Sequence, residues 1–176
     1  MDKLEKQKCP ICFKDTLTLT EDNSEIPYFG RIFILSMKCS NTECNYNMSD
    51  VECEEQKEPS RYTLEVNSDK DMTIRVVKSS SGVVKIPGLK VTIDPGLASV
   101  GYVTNIEGLL DRVKKIIESE RDSSEDDDVK KNAKNLLKKI WKVKLGDLPL
   151  KIIIEDESGN SAIISDKAKV EKLKVK

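Results

Sequence analysis

The sequence predicts a mainly β chain with an α-helical insertion, and three observations lead there. Two cysteine pairs, Cys9–Cys12 and Cys39–Cys44, stand at the ends of strand-like segments within the first 56 residues. Short runs rich in Val, Ile and Thr, punctuated by Gly, Pro, Asn and Ser, fill residues 61–104 and 148–165. Between them the apolar period changes from two to 3.6 over about residues 104–145, the mark of helices. The expected layout is a four-cysteine zinc ribbon over 1–56, then a β-domain over 57–176 that carries the helical hairpin.

The cysteines organise the first part. Cys9-Pro10-Ile11-Cys12 and Cys39-Ser40-Asn41-Thr42-Glu43-Cys44 are two tight turns separated by 26 residues. Zinc takes four ligands tetrahedrally, with thiolates about 2.3 Å away, and structural sites space their paired ligands two to four residues apart. The spacing predicts one ion held by Cys9, Cys12, Cys39 and Cys44. An iron centre uses the same four-thiolate cage, and softness alone does not separate the two metals. Four cysteines leave no open position for water, so the metal is expected to be structural. The charged start Met1-Asp2-Lys3-Leu4-Glu5-Lys6 lacks the apolar core of a signal peptide, which favours a cytoplasmic location and argues against disulfides. The fifth cysteine, Cys53, has no partner at ligand spacing and reads as a half-buried strand residue.

Asp15–Thr20 alternates with period two and reads as a strand, with Glu21–Ser24 as a polar turn. Ile26-Pro27-Tyr28-Phe29 leads into a second strand over residues 31–38, and Tyr46–Glu52 suggests a third. Beyond the polar stretch 54–60 come strand candidates at 61–66, 73–78, 82–87, 89–94 and 102–104. Thr104-Asn105-Ile106-Glu107 matches a capping box, and Ile106, Leu109, Leu110, Val113, Ile116 and Ile117 follow on one helical face. The aspartates of 122–128 suit the positive end of a second helix, whose stripe is Val129, Ala133, Leu136, Leu137 and Ile140, with Gly146 as its stop. Trp141 is expected to pack between hairpin and sheet. Strands resume at 148–155 and 162–165, and the tail 166–176 reads as a frayed strand or short helix.

Composition removes several chemistries. The chain has no histidine, so serine triads, Cys-His pairs, HExxH zinc and two-His-one-carboxylate iron are all excluded. No phosphate-binding glycine motif or GxSxG appears, and no apolar run approaches membrane-spanning length. A non-catalytic role is expected. Residues 1–60 carry 7 Lys+Arg against 12 Asp+Glu, so the ribbon is acidic and poorly suited to phosphates. The second helix, by contrast, holds seven lysines between Lys130 and Lys144 and no acid, which keeps nucleic-acid binding through 129–145 as the alternative function.

Several motifs in this order resemble one family. They are Cys9-Pro10-Ile11-Cys12, Ile26-Pro27-Tyr28-Phe29, Ile34–Cys39, Cys44-Asn45-Tyr46, Val76–Ser79, Ile86-Pro87, Thr104–Leu110 and Gly159-Asn160-Ser161. Together they resemble the ZPR-type zinc-finger proteins, in the single-module form expected of archaea. The resemblance implies a zinc ribbon similar to that of translation initiation factor 2 beta, followed by a double-stranded β-helix domain with an inserted helical hairpin. It also implies a partner, because the two-module eukaryotic relatives bind translation elongation factor 1-alpha and help it fold. This sequence departs from the family in its second knuckle, which has four residues between cysteines where two are usual, and in having one module. Aromatic anchors carry much of the energy of protein interfaces, so Ile26, Pro27, Tyr28 and Phe29 are the candidates for partner contact. The competing role for these four is packing the ribbon on the β-domain.

Overall fold

The computed structural model describes residues 2–26, 30–54, 57–96 and 99–174. The first four strands, β1 (Asp2–Gln7), β2 (Leu17–Ile26), β3 (Gly30–Cys39) and β4 (Asn47–Cys53), form one antiparallel sheet in that order. β2 and β3 pair without interruption from Leu17↔Cys39 to Ile26↔Gly30. The polar run Glu21–Ser24, expected as a turn, is therefore mid-strand. Its residues face water while their partners Leu35, Ile34, Phe33 and Ile32 supply the β-formers, so ten residues of pairing outweigh local turn propensity. β1 is an exposed edge strand that the charged start did not suggest.

β5 (Ser60–Val66), a 3-10 turn (Asp69–Thr73), β6 (Arg75–Lys78), β7 (Val83–Ile86), β8 (Val91–Ile93) and β9 (Tyr102–Asn105) follow. After the helices come β10 (Leu150–Asp156), β11 (Ala162–Ile164) and β12 (Lys169–Lys172). They make a five-stranded sheet, β12-β5-β10-β7-β8, and a three-stranded sheet, β11-β6-β9, all antiparallel. The tail thus contributes an edge strand rather than a helix.

Helix α1 (Ile106–Ser123) is capped by Asn105, whose side chain accepts from Gly108 N at 2.8 Å. The cap sits one residue beyond the Thr104 that the capping-box pattern suggested. α1 buries Ile106, Leu109, Leu110, Val113 and Ile117, while Ile116 faces outward. α2 (Asp127–Lys144) starts on Asp126 and stops at Gly146, which adopts φ +81°. Gly146 N donates to Val143 O and Asp147 N to Lys142 O, both at 2.9 Å, closing the last turn as a Schellman motif. α2 buries Ala133, Ile140 and Val143; Trp141 points away from that stripe and is 66% exposed. The expectation that Trp141 packs inside fails because Ile140 already takes the inward position, and the next residue in a helix points about 100° away.

One apolar core joins α1, α2 and the facing sides of both sheets, including Leu64, Val76, Ile86, Leu110, Ile140, Ile152 and Ile163. The period of two then places the neighbours Val77 and Ala162 on the reverse of the small sheet. There they meet Ile32 of β3 and Val51 of β4 in a second buried cluster. The three-stranded sheet is thus sandwiched between the main core and the ribbon. Polar bonds reinforce the seam: Gly101 N donates to Asp50 Oδ1 at 2.6 Å, and Cys53 Sγ lies 3.7 Å from Asn160 O. Burial pushes the Cys53 thiol up to about 11, which suits an unreactive packing residue.

A buried carboxylate ties the turns of the β-domain together. Asp156 Oδ2 accepts from Ser79 Oγ and Ser161 Oγ, each at 2.6 Å. Oδ1 accepts from Ser81 Oγ, Ser158 N and Ser158 Oγ at 2.9, 2.9 and 2.7 Å. Lys78 is buried nearby, with Nζ donating to Ser79 O at 3.0 Å. Burial raises the Asp156 carboxyl, but the hydroxyls of Ser161, Ser79, Ser158 and Ser81 outweigh it and hold the group below its usual range.

Candidate metal centre

The ribbon ends in two turns that face each other. Cys9 and Cys12 lie on the loop between β1 and β2, while Cys39 closes β3 and Cys44 follows on the connection to β4. The backbone builds both turns alike. Phe13 N donates to Cys9 O and Asn45 N to Asn41 O, and the residue after each second cysteine takes a left-handed conformation, Phe13 at φ 58° and Asn45 at φ 49°. Ser40 N to Thr16 O and Cys39 N to Tyr46 O lock the turns to their strands.

This folding brings together all four cysteines singled out by spacing. Their Sγ atoms lie within 4.8 Å of one another, with Cys9–Cys44 and Cys12–Cys39 at 3.8 Å. A tetrahedron with sulfurs about 2.3 Å from its centre has edges of about 3.8 Å. The cage therefore fits a zinc ion, and the longer second knuckle does not spoil it, because Asn41–Asn45 form a compact turn that returns Cys44 to the site. Cys9 and Cys39 are buried, and Leu17, Leu19, Met37 and Tyr46 pack around the sulfurs.

The surroundings are built for thiolate. The backbone N–H of Lys14 is the main influence that draws the Cys12 thiol down to about 6, with Asn41 and Thr16 also donating. Desolvation dominates at Cys44 and pushes it up to about 11, despite the Tyr46 N–H that favours its thiolate. Four clustered thiols cannot all ionise until a cation shares their charge, so metal binding expels protons. Thr16 is a member of the site that the cysteine spacing did not reveal. Its hydroxyl lies 3.1 Å from Cys39 Sγ and 3.8 Å from Cys12 Sγ, so it can donate to one ligand and orient both. Nothing in the local sequence distinguishes it from the neighbouring strand threonines.

Next to the cage the first knuckle presents apolar side chains to water. Ile11 is 60% and Phe13 70% exposed. The partner candidates Pro27, Tyr28 and Phe29 lie outside the described residues, as does the side chain of Ile26, whose backbone ends β2. Among the described residues, Ile32 and Val51 pack the ribbon on the β-domain.

Comparison with known proteins extends over nearly the whole chain. A family model described as the ZPR1 jelly-roll domain matches residues 70–176, which hold the helical hairpin and every strand of the two sheets except β5. A ZPR1-like protein of Pyrococcus horikoshii is 41% identical over 169 residues, covering 94% of this chain and 75% of its own. One from Methanocaldococcus jannaschii is 38% identical, covering 94% and 83%. The zinc finger chaperone zpr1 of Schizosaccharomyces pombe is 30% identical over 142 residues, which are 78% of this chain but 30% of that larger protein.

Proposed function

The chain belongs to the ZPR1 family, and from that premise we propose that it is a non-catalytic, zinc-stabilised protein that binds translation elongation factor 1-alpha, or a related GTPase, and assists its folding. The observation that carries this reading is the pairing of a closed four-sulfur cage with exposed apolar residues on the same knuckle. A closed cage offers no position for substrate or water, so its metal serves geometry. Ile11 and Phe13 stand exposed on the backbone that the metal holds rigid, and a rigid anchor loses little entropy on docking. Ile26, Pro27, Tyr28 and Phe29 are proposed as further contacts on sequence grounds. The chaperone activity named for the fission-yeast relative is consistent with this role.

The test is direct. Zinc-loaded protein is mixed with nucleotide-free elongation factor 1-alpha from a related source, and complex formation is followed by analytical ultracentrifugation. A complex that disappears with a Cys39→Ser variant supports the proposal. Separate sedimentation of the two proteins at micromolar concentration removes it.

A further inference from the structure

The outward face of α2 is organised in a way that neither the core nor the ribbon requires. Lys131, Lys134, Lys138, Trp141 and Leu145 recur at spacings of three, four, three and four residues, which aligns them in one stripe along the helix and its C-cap. The buried stripe Ala133, Ile140 and Val143 lies on the opposite side. Trp141 and Leu145 are 66% and 52% exposed, and the three lysines are exposed as well. Lys144, on the flank, is neutralised by Asp111 at 2.6 Å and Glu107 at 3.5 Å. Among the described residues Lys131, Lys134 and Lys138 hold no ion pair.

We propose that this stripe is a docking surface for an acidic amphipathic helix of a partner protein, with Trp141 and Leu145 receiving its apolar end and Lys131, Lys134 and Lys138 its carboxylates. Alternating three- and four-residue spacing is the seam geometry by which one helix meets another. From Lys131 to Leu145 the seam is about 21 Å long, room for a partner of about four turns. Charge selects protein over nucleic acid. The stripe is headed by Glu125, Asp126, Asp127 and Asp128, all exposed, which would repel a continuous run of phosphates. A polypeptide can instead match the succession acidic, basic, apolar with basic, acidic, apolar. Burying an aromatic residue beside an aliphatic one is the usual core of such interfaces, with charges setting register at the rim. The stripe lies on the hairpin, and its test uses no elongation factor, so its failure leaves the ribbon's proposed role untouched.

Trp141 is the only tryptophan in the chain and serves as its own reporter. The full-length protein is titrated with a synthetic 18-residue peptide designed as a helix, with glutamates at three- and four-residue spacing and leucines at one end. A saturable blue shift of Trp141 emission is expected. Lys134→Glu combined with Lys138→Glu should weaken the affinity at least about tenfold, as should Trp141→Ala followed by calorimetry. These positions are exposed, and unchanged thermal melting verifies that the variants fold. The proposal is overturned if the peptide produces no shift. It is equally overturned if a scrambled peptide of the same composition binds as tightly, or if a single-stranded RNA oligonucleotide binds more tightly and loses affinity in the lysine variant.

Discussion

Phe13 and Asn45 occupy equivalent positions, each directly after the second cysteine of its knuckle and each left-handed, at φ 58° and 49°. Asparagine tolerates that conformation, and Asn45 Nδ2 also donates to Thr42 O at 2.8 Å. Phenylalanine has neither advantage, so the first knuckle carries strain while displaying an aromatic ring to water. Phe13→Asn should raise the stability of the zinc-loaded ribbon by about 0.5–1 kcal/mol by removing that strain. If the ring is an anchor, the same change should weaken elongation-factor binding by about tenfold or more. Melting curves and a binding titration on one variant measure both, and unchanged binding would exclude Phe13 from the interface.

Thr16 orients Cys39 through its hydroxyl, 3.1 Å from the sulfur. Thr16→Val keeps the shape and removes the donor, and should lower zinc affinity about 10- to 100-fold, the range for groups that support metal ligands. Competition with a chromophoric chelator reads the change. Cys39→Ser should abolish stoichiometric zinc, and hydrogen exchange should then show residues 2–53 unprotected while β10 stays protected, because the main core lies outside the ribbon.

Gly101 meets the ribbon so closely that a Cβ there would overlap Val51 O and lie 3.2 Å from Lys78 O. Gly101→Ala should therefore push the ribbon from the small sheet and break the bond from Gly101 N to Asp50 Oδ1. A loss of roughly 2 kcal/mol or more is expected, typical of forced overpacking. Exchange of the Gly101 amide, slow in the parent and fast in the variant, reports the seam directly.

Asp156 has its carboxyl depressed in the folded state, where serine hydroxyls outweigh the raising effect of burial. Its stabilising contribution is fully present above the ordinary aspartate range near 4 and is lost as pH falls through the lower folded value. Asp156→Asn leaves a serine donor facing an amide N–H₂, and should cost about 1–3 kcal/mol at pH 7. The cost should shrink below about pH 4, where the parent loses the same charge. Chemical denaturation of both proteins at pH 7 and pH 3.5, with chelator present so that zinc release is common to all, tests the sign. A difference that grows on acidification would contradict the assignment.

Part of this protein is determined by its sequence alone. Cysteine spacing singles out the four sulfurs that the fold gathers, because the turn that joins each pair is local and a tetrahedral cage needs only two such turns. The helical stripes, an aspartate cap from within 122–128 and the stop at Gly146 are likewise local, since they follow from periodicity and backbone chemistry within a few residues. Tertiary structure decided the rest. Pairing with β3 drew Glu21–Ser24 into a strand, and Ile140 displaced Trp141 from the core. The split of Val76 and Val77 between two apolar clusters made the small sheet a seam for the ribbon. The contact of Thr16 with Cys39 and the bonds of Ser79 and Ser81 to Asp156 join residues 23 to 77 positions apart. No local pattern encodes such pairs, because the energy that selects them appears only when the whole chain has closed around them.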